Sequence, residues 1–139
     1  MKQPNSVCKN RDCTKGVDGT RARFYACAYC VRSLVWRSVA CCPECFEAYL
    51  QQVNKARSQN KPVDLLPERT DMSREEVAEL MGKPLKEVII ETHEELADYA
   101  GDLETVGFSG VVDKINEEIR ARQADEKKSR RKIKAEEQG

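Results

Sequence analysis

The chain has 139 residues with 24 Lys/Arg against 24 Asp/Glu, and it is 40% hydrophobic and 35% charged. That length and apolar content fit one ordinary domain or two small ones and are lean for a single large core. No stretch approaches the roughly 20 apolar residues of a membrane span, and the start Met1-Lys2-Gln3-Pro4-Asn5 lacks the apolar run of a signal peptide, so the expectation is a cytoplasmic, non-membrane protein whose thiols stay reduced.

The charge is unevenly spread. Residues 1–60 hold ten Lys/Arg and four Asp/Glu, a net +6, and residues 61–139 hold fourteen and twenty, a net −6. The asymmetry predicts two modules with different partners, the basic one suited to nucleic acid, although differently charged solvated faces would give the same pattern. The predicted organisation is a cysteine-rich module over 1–58, a linker over 59–70 around Pro62 and Pro67, a helical region over 71–120 and a charged helical or disordered tail over 121–139.

All seven cysteines lie in the first 45 residues, as Cys8 and Cys13, Cys27 and Cys30, then Cys41, Cys42 and Cys45. An odd count in a reducing compartment argues against disulfides and for a metal. Between the cysteines, residues 21–27 and 31–39 alternate apolar and polar positions and predict short strands or a hairpin. A helix is expected from Pro43 to 58–61, with Phe46, Tyr49, Leu50 and Val53 on one face and Glu44 and Glu47 at its positive end.

Ser73 with Glu76 forms a capping box. It opens a helix to about Met81, with Val77, Leu80 and Met81 inward. Gly82 and Pro84 break it. A second helix is expected from Leu85 to Tyr99, burying Leu85, Val88, Ile89, Thr92, Leu96 and Tyr99, and Gly101 is expected to stop it. A third, from about Val111, carries the stripe Val111, Val112, Ile115 and Ile119.

Structural zinc takes four tetrahedral ligands, best supplied by thiolates. Cys27 and Cys30 have the spacing of a knuckle, and Cys45 can pair with Cys41 or with Cys42. The stretch from Cys27 to Tyr49 resembles treble-clef zinc fingers of the FCS and TRASH type, with a knuckle, a hairpin and a cysteine pair leading into a helix. The resemblance implies one zinc ion on Cys27, Cys30, Cys41 and Cys45, with Cys42 where serine is common. Two features depart from that pattern: the interval between Cys30 and Cys41 is short, and Ala40 replaces an aromatic residue. The earlier pairs also resemble two-zinc cross-braced fingers of the MYND and HIT kind, but no Cys or His lies between Phe46 and Thr92 to complete a second site. A single site built from Cys8, Cys13 and the third cluster is the alternative, and buried, metal-free thiols are the remaining one. His93, the only histidine, reads as a surface or partly buried residue.

The fold expected is small α+β: a zinc-stabilised treble-clef-like finger, with a short β-hairpin and a helix, followed by a mainly helical segment. An all-cysteine site is closed and structural, and no Gly-rich phosphate loop or Cys–His nucleophile is present. The expectation is therefore a non-enzymatic regulatory or adaptor protein with no small-molecule substrate. Arg21, Arg23, Tyr25, Arg32, Trp36 and Arg37 are the candidate nucleic-acid contacts, with cations for phosphates and aromatics for unpaired bases; a small core over the zinc is the other role open to Trp36. Residues 73–88 resemble half of a helix-turn-helix, with Ala78, Gly82 and Val88 in its small, turn and inward positions. Lys83 stands where an apolar residue is usual, and Glu87, Glu91, Glu94 and Glu95 would repel phosphate. These helices are read as a hairpin that packs on itself, on a protein partner or on a second copy.

Overall fold

Three chain segments far apart in sequence meet in a small antiparallel sheet. In the computed structural model, which describes residues 2–138 and their side chains through Glu126, strand β1 (Ser6–Val7) is central. It lies between β2 (Arg23–Phe24) and β3 (Glu68–Arg69). Ser6 faces Phe24 on one side and Arg69 on the other. The backbone bonds Asn5 N to Phe24 O at 3.0 Å and Cys8 N to Ala22 O at 2.9 Å extend the pairing. Segment 59–70, expected as a linker, thus supplies a strand, because its backbone finds partners along β1.

The expected strand over 31–39 is instead two short helices, α1 (Ala28–Ser33) and α2 (Trp36–Val39). Cys27 sits extended at the N-cap of α1, and its Sγ accepts from Cys30 N at 3.3 Å. Leu34 ends the helix in the left-handed conformation, φ 52°. Val31 is buried in the first core cluster with Val77 and Val88 of later helices. Capping and burial override the β-branched alternation of this segment.

Helix α3 (Pro43–Ser58) begins at its proline and buries Cys45, Tyr49 and Val53. Leu50 turns outward, 43% exposed. Helix α4 (Arg74–Gly82) opens where Ser73 Oγ accepts from Glu76 N at 3.2 Å, and Val77 and Leu80 are buried. Helix α5 (Leu85–Glu95) buries Val88 and Thr92 but exposes Leu85 and Ile89. A 3₁₀ turn (Ala97–Tyr99) leads into α6 (Ala100–Gln138). The second helix stops at Glu95, short of Gly101, which lies in the first turn of α6. The break in α6 falls at Gly107, whose φ of 74° and ψ of 177° are non-helical and suit glycine alone. Beyond it Val111, Val112, Ile115 and Ile119 are buried as expected. At the start of the expected tail, Arg122 donates to Lys2 O and Gln123 to Arg23 O, both at 3.0 Å. The rest of the tail reading, over 127–139, lies outside the described side chains.

The architecture is small α+β with two apolar clusters. One gathers Cys8, Phe24, Val39, Cys45 and Tyr49 with Val77, Leu80 and Val88. The other gathers Tyr25, Cys27 and Cys30 with Leu96, Val111, Val112, Ile115 and Ile119. Each draws on both sides of segment 59–70. Among the described residues, no helix is long and apolar enough to cross a membrane.

Candidate metal centre

Cys8 leaves the central strand β1, and the next backbone amide, Lys9 N, donates to Val39 O at 2.7 Å. That bond sets Cys8 beside the segment that carries Cys41. The chain then turns, with Cys13 N donating to Asn10 O at 3.0 Å. Gln52 of α3 clamps this turn: its Nε2 donates to Asn10 Oδ1 at 2.8 Å and its Oε1 accepts from Arg11 N at 3.3 Å. Cys41 and Cys45 straddle the start of α3, one helical turn apart.

These constraints bring four buried sulfurs together. The Sγ atoms of Cys8, Cys13, Cys41 and Cys45 all lie within 4.8 Å of one another. Cys13 to Cys41 is 3.9 Å and Cys41 to Cys45 is 3.7 Å. A tetrahedral zinc with Zn–S of about 2.3 Å has S–S edges of about 3.8 Å, so the spacing fits a four-thiolate metal site. All seven cysteines are free thiols.

The proton distribution over the four thiols is uneven. The hydrogen bond from the Cys41 thiol holds Cys8 down at about 5. The same contact, together with burial, pushes Cys41 up, and burial pushes Cys45 up to about 12. Cys42 stands outside the four, half-buried, 3.9 Å from Cys41 Sγ. Burial raises its thiol, but hydrogen bonds from Lys15 Nζ, at 2.8 Å, and from the Cys45 backbone outweigh that and leave it lowered.

Cys27 and Cys30, the expected knuckle, are not in this group. They sit in the second apolar cluster, 0% and 1% exposed, where Cys27 caps α1. Burial raises the Cys27 thiol, and the bond to Cys27 lowers Cys30. Their x2 spacing matches a helix N-cap as well as a metal knuckle, and here Cys27 caps the helix over 28–33. The wider pair Cys8 and Cys13 takes the place beside Cys41 and Cys45. The sequence signal was present, since Cys8 and Cys13 with the third cluster form the alternative site, but only the pairing of β1 and the Gln52 clamp bring them together and select Cys41 and Cys45. His93 is exposed, its Nδ1 2.8 Å from Ile89 O.

The candidate nucleic-acid contacts are mostly occupied within the chain. Arg21 bonds Cys8 O at 3.1 Å and pairs with Glu68 at 3.0 Å. Arg32 donates to Lys83 O at 3.1 Å. Arg37 makes a two-pronged pair with Asp113, both arms 3.0 Å, and lies 4.6 Å over the Trp36 ring. Tyr25 is 2% exposed, with Asn116 bonded to its backbone. Arg23 alone of the six is exposed. Arg21 therefore ties the turn after β1 to β3, and Arg32 and Arg37 tie the amino-terminal module to the end of α4 and to α6; the sequence could not show these partners, which lie 13 to 76 residues away.

No protein-family model, curated protein or solved structure matches this chain.

Proposed function

We propose that Cys8, Cys13, Cys41 and Cys45 hold one zinc ion in a closed structural site, and that the protein is a non-enzymatic regulatory module that binds nucleic acid in a reducing compartment such as the cytoplasm. The carrying observation is the set of four buried sulfurs within 4.8 Å. Four thiolates leave no coordination position for water or substrate, so the ion's role is to fix the fold. Two ligands from a turn after β1 and two at the start of α3 support a treble-clef-like finger, with Cys8 and Cys13 as the knuckle in place of Cys27 and Cys30. The ion would lock the turn at 8–13 against α3 and secure a scaffold whose first 60 residues carry a net +6.

Nucleic-acid binding rests on that charge. Fluorescence polarisation with a labelled 20-mer tests it: binding that weakens linearly in log salt is expected, and no binding at low salt removes the reading. A protein-adaptor role is favoured by a different observation, the exposure of Leu85, Ile89 and Ile90 on α5 at 37–55%. Binding insensitive to salt and abolished by Ile90→Glu would select it.

A further inference from the structure

With Arg21, Arg32 and Arg37 occupied, Arg23 is the one candidate cation left in that segment, and a group of free cations lies elsewhere. A groove of about 390 Å³ runs between the turn after β1, the outer side of α3 and the segment that follows it. Arg11, Lys55 and Lys61 line it, all exposed. The chain holds each one at a fixed place. Arg11 N is tied to Gln52 Oε1 at 3.3 Å, and Lys61 N folds back onto Ala56 O at 2.9 Å after Asn60 turns through φ 54°. Gln52, Lys55 and Gln59 follow one another along the groove side of α3.

The acids in this groove are engaged. Asp64 accepts from the buried Lys9, its backbone O at 2.9 Å and Oδ2 at 3.6 Å, and it pairs with Arg74. Glu68 is held by Arg21. Asp12, beside the groove, accepts from Gln52 at 3.3 Å. Among the described residues, Arg11, Lys55 and Lys61 have no side-chain ion pair of their own. A cation in the last turn of α3 suits the helix dipole, which accounts for Lys55. It does not account for Arg11, which arrives from a segment more than forty residues earlier.

We propose that this groove is the phosphate-binding track of the nucleic-acid interface, with Arg11, Lys55 and Lys61 each taking one backbone phosphate and the exposed side-chain amide of Gln59 donating to a phosphate or sugar oxygen. The proposal rests on the nucleic-acid reading above and moves the site from the arginines of residues 21–37 to α3. The dimensions agree. From Gln52 to Gln59 the helix advances roughly 10 Å at 1.5 Å per residue, and three phosphates of one strand, two steps at 3.4 Å, take up about 7 Å of a duplex axis and fit within that length. Contacts to backbone alone position the nucleic acid without reading sequence, so little base preference is expected.

The test is polarisation binding of the full chain to duplex DNA, single-stranded DNA and single-stranded RNA of one sequence, from 50 to 200 mM salt. Three phosphate contacts predict a log–log slope of about −2.7 for duplex and about −2.1 for a single strand, a loss of about 40-fold or 20-fold across that range. R11A/K55A/K61A is expected to bind at least 10-fold more weakly at low salt with a slope near zero, while Lys86→Ala, an exposed cation of α5 outside the groove, binds as the wild type does. Each single variant should lower the slope by about 0.9 on duplex, which keeps the test valid if the triple variant fails to retain its metal. A triple variant that holds its metal and keeps the wild-type slope overturns the groove while leaving nucleic-acid binding standing. Wild-type chain that binds none of the three probes overturns both.

Discussion

Asn116 is where α6 grips the amino-terminal module, and its removal has a calculable cost. The side chain is 6% exposed and bonds the backbone of Tyr25 at both ends, accepting from Tyr25 N at 2.8 Å and donating to Tyr25 O at 3.3 Å. It continues, from a helix, the hydrogen bonding that β2 ends one residue earlier. Asn116→Ala leaves a buried N–H and a buried carbonyl without partners. At about 1–3 kcal/mol for each unmet group, with the longer bond at the low end, the loss is about 2–4 kcal/mol. For a chain of this size that is a fall in Tm on the order of 10 °C. Calorimetry of metal-loaded protein measures it. Because the second cluster joins Tyr25, Cys27 and Cys30 to Ile115 and Ile119, the wild type should melt in one transition and the variant in one lower transition. A loss under about 0.5 kcal/mol, or a variant that splits so that the amino-terminal module melts unchanged, would refute the reasoning.

The Arg37–Asp113 pair should show its worth in a double-mutant cycle. It is two-pronged but partly exposed, with side-chain exposures of 20% and 48%, so a coupling energy of about 1 kcal/mol by urea denaturation is expected, shrinking at high salt. Metal affinity should climb with pH. Cys8 is a thiolate above about pH 5, whereas Cys41 is pushed up and Cys45 is pushed up to about 12. At least two protons must therefore leave as metal enters near neutral pH. The apparent association constant should rise by roughly two orders of magnitude per pH unit between pH 6 and 8 in a chelator competition, and acidification should release the ion.

Much of the helical frame was legible. Pro43 and the spacing of Tyr49 and Val53 mark α3, Ser73 marks the start of α4, and the stripe Val111, Val112, Ile115 and Ile119 marks α6; each is a local signal. Segment 31–39 misled because its β-branched alternation was weaker than the cap at Cys27 and the burial of Val31. Strand β3 is two residues long and exists only because Ser6 and Val7 pair with it. The ligand choice had the same character: the compact Cys27–Cys30 spacing suits a metal knuckle and a helix cap alike, and only non-local packing distinguishes them. The arginines of residues 21–37 looked available because Glu68, Lys83 and Asp113 are remote in sequence.

The most direct test of the four-cysteine centre is metal content per chain by native mass spectrometry, read together with cobalt-substituted spectra of single-cysteine variants. The proposed site predicts one zinc ion per wild-type chain and a tetrahedral thiolate spectrum with cobalt. The ion should be lost on Cys13→Ser and on Cys45→Ser, and kept on Cys30→Ala and on Cys42→Ser. Retention of the ion by Cys13→Ser together with its loss from Cys30→Ala would contradict the account.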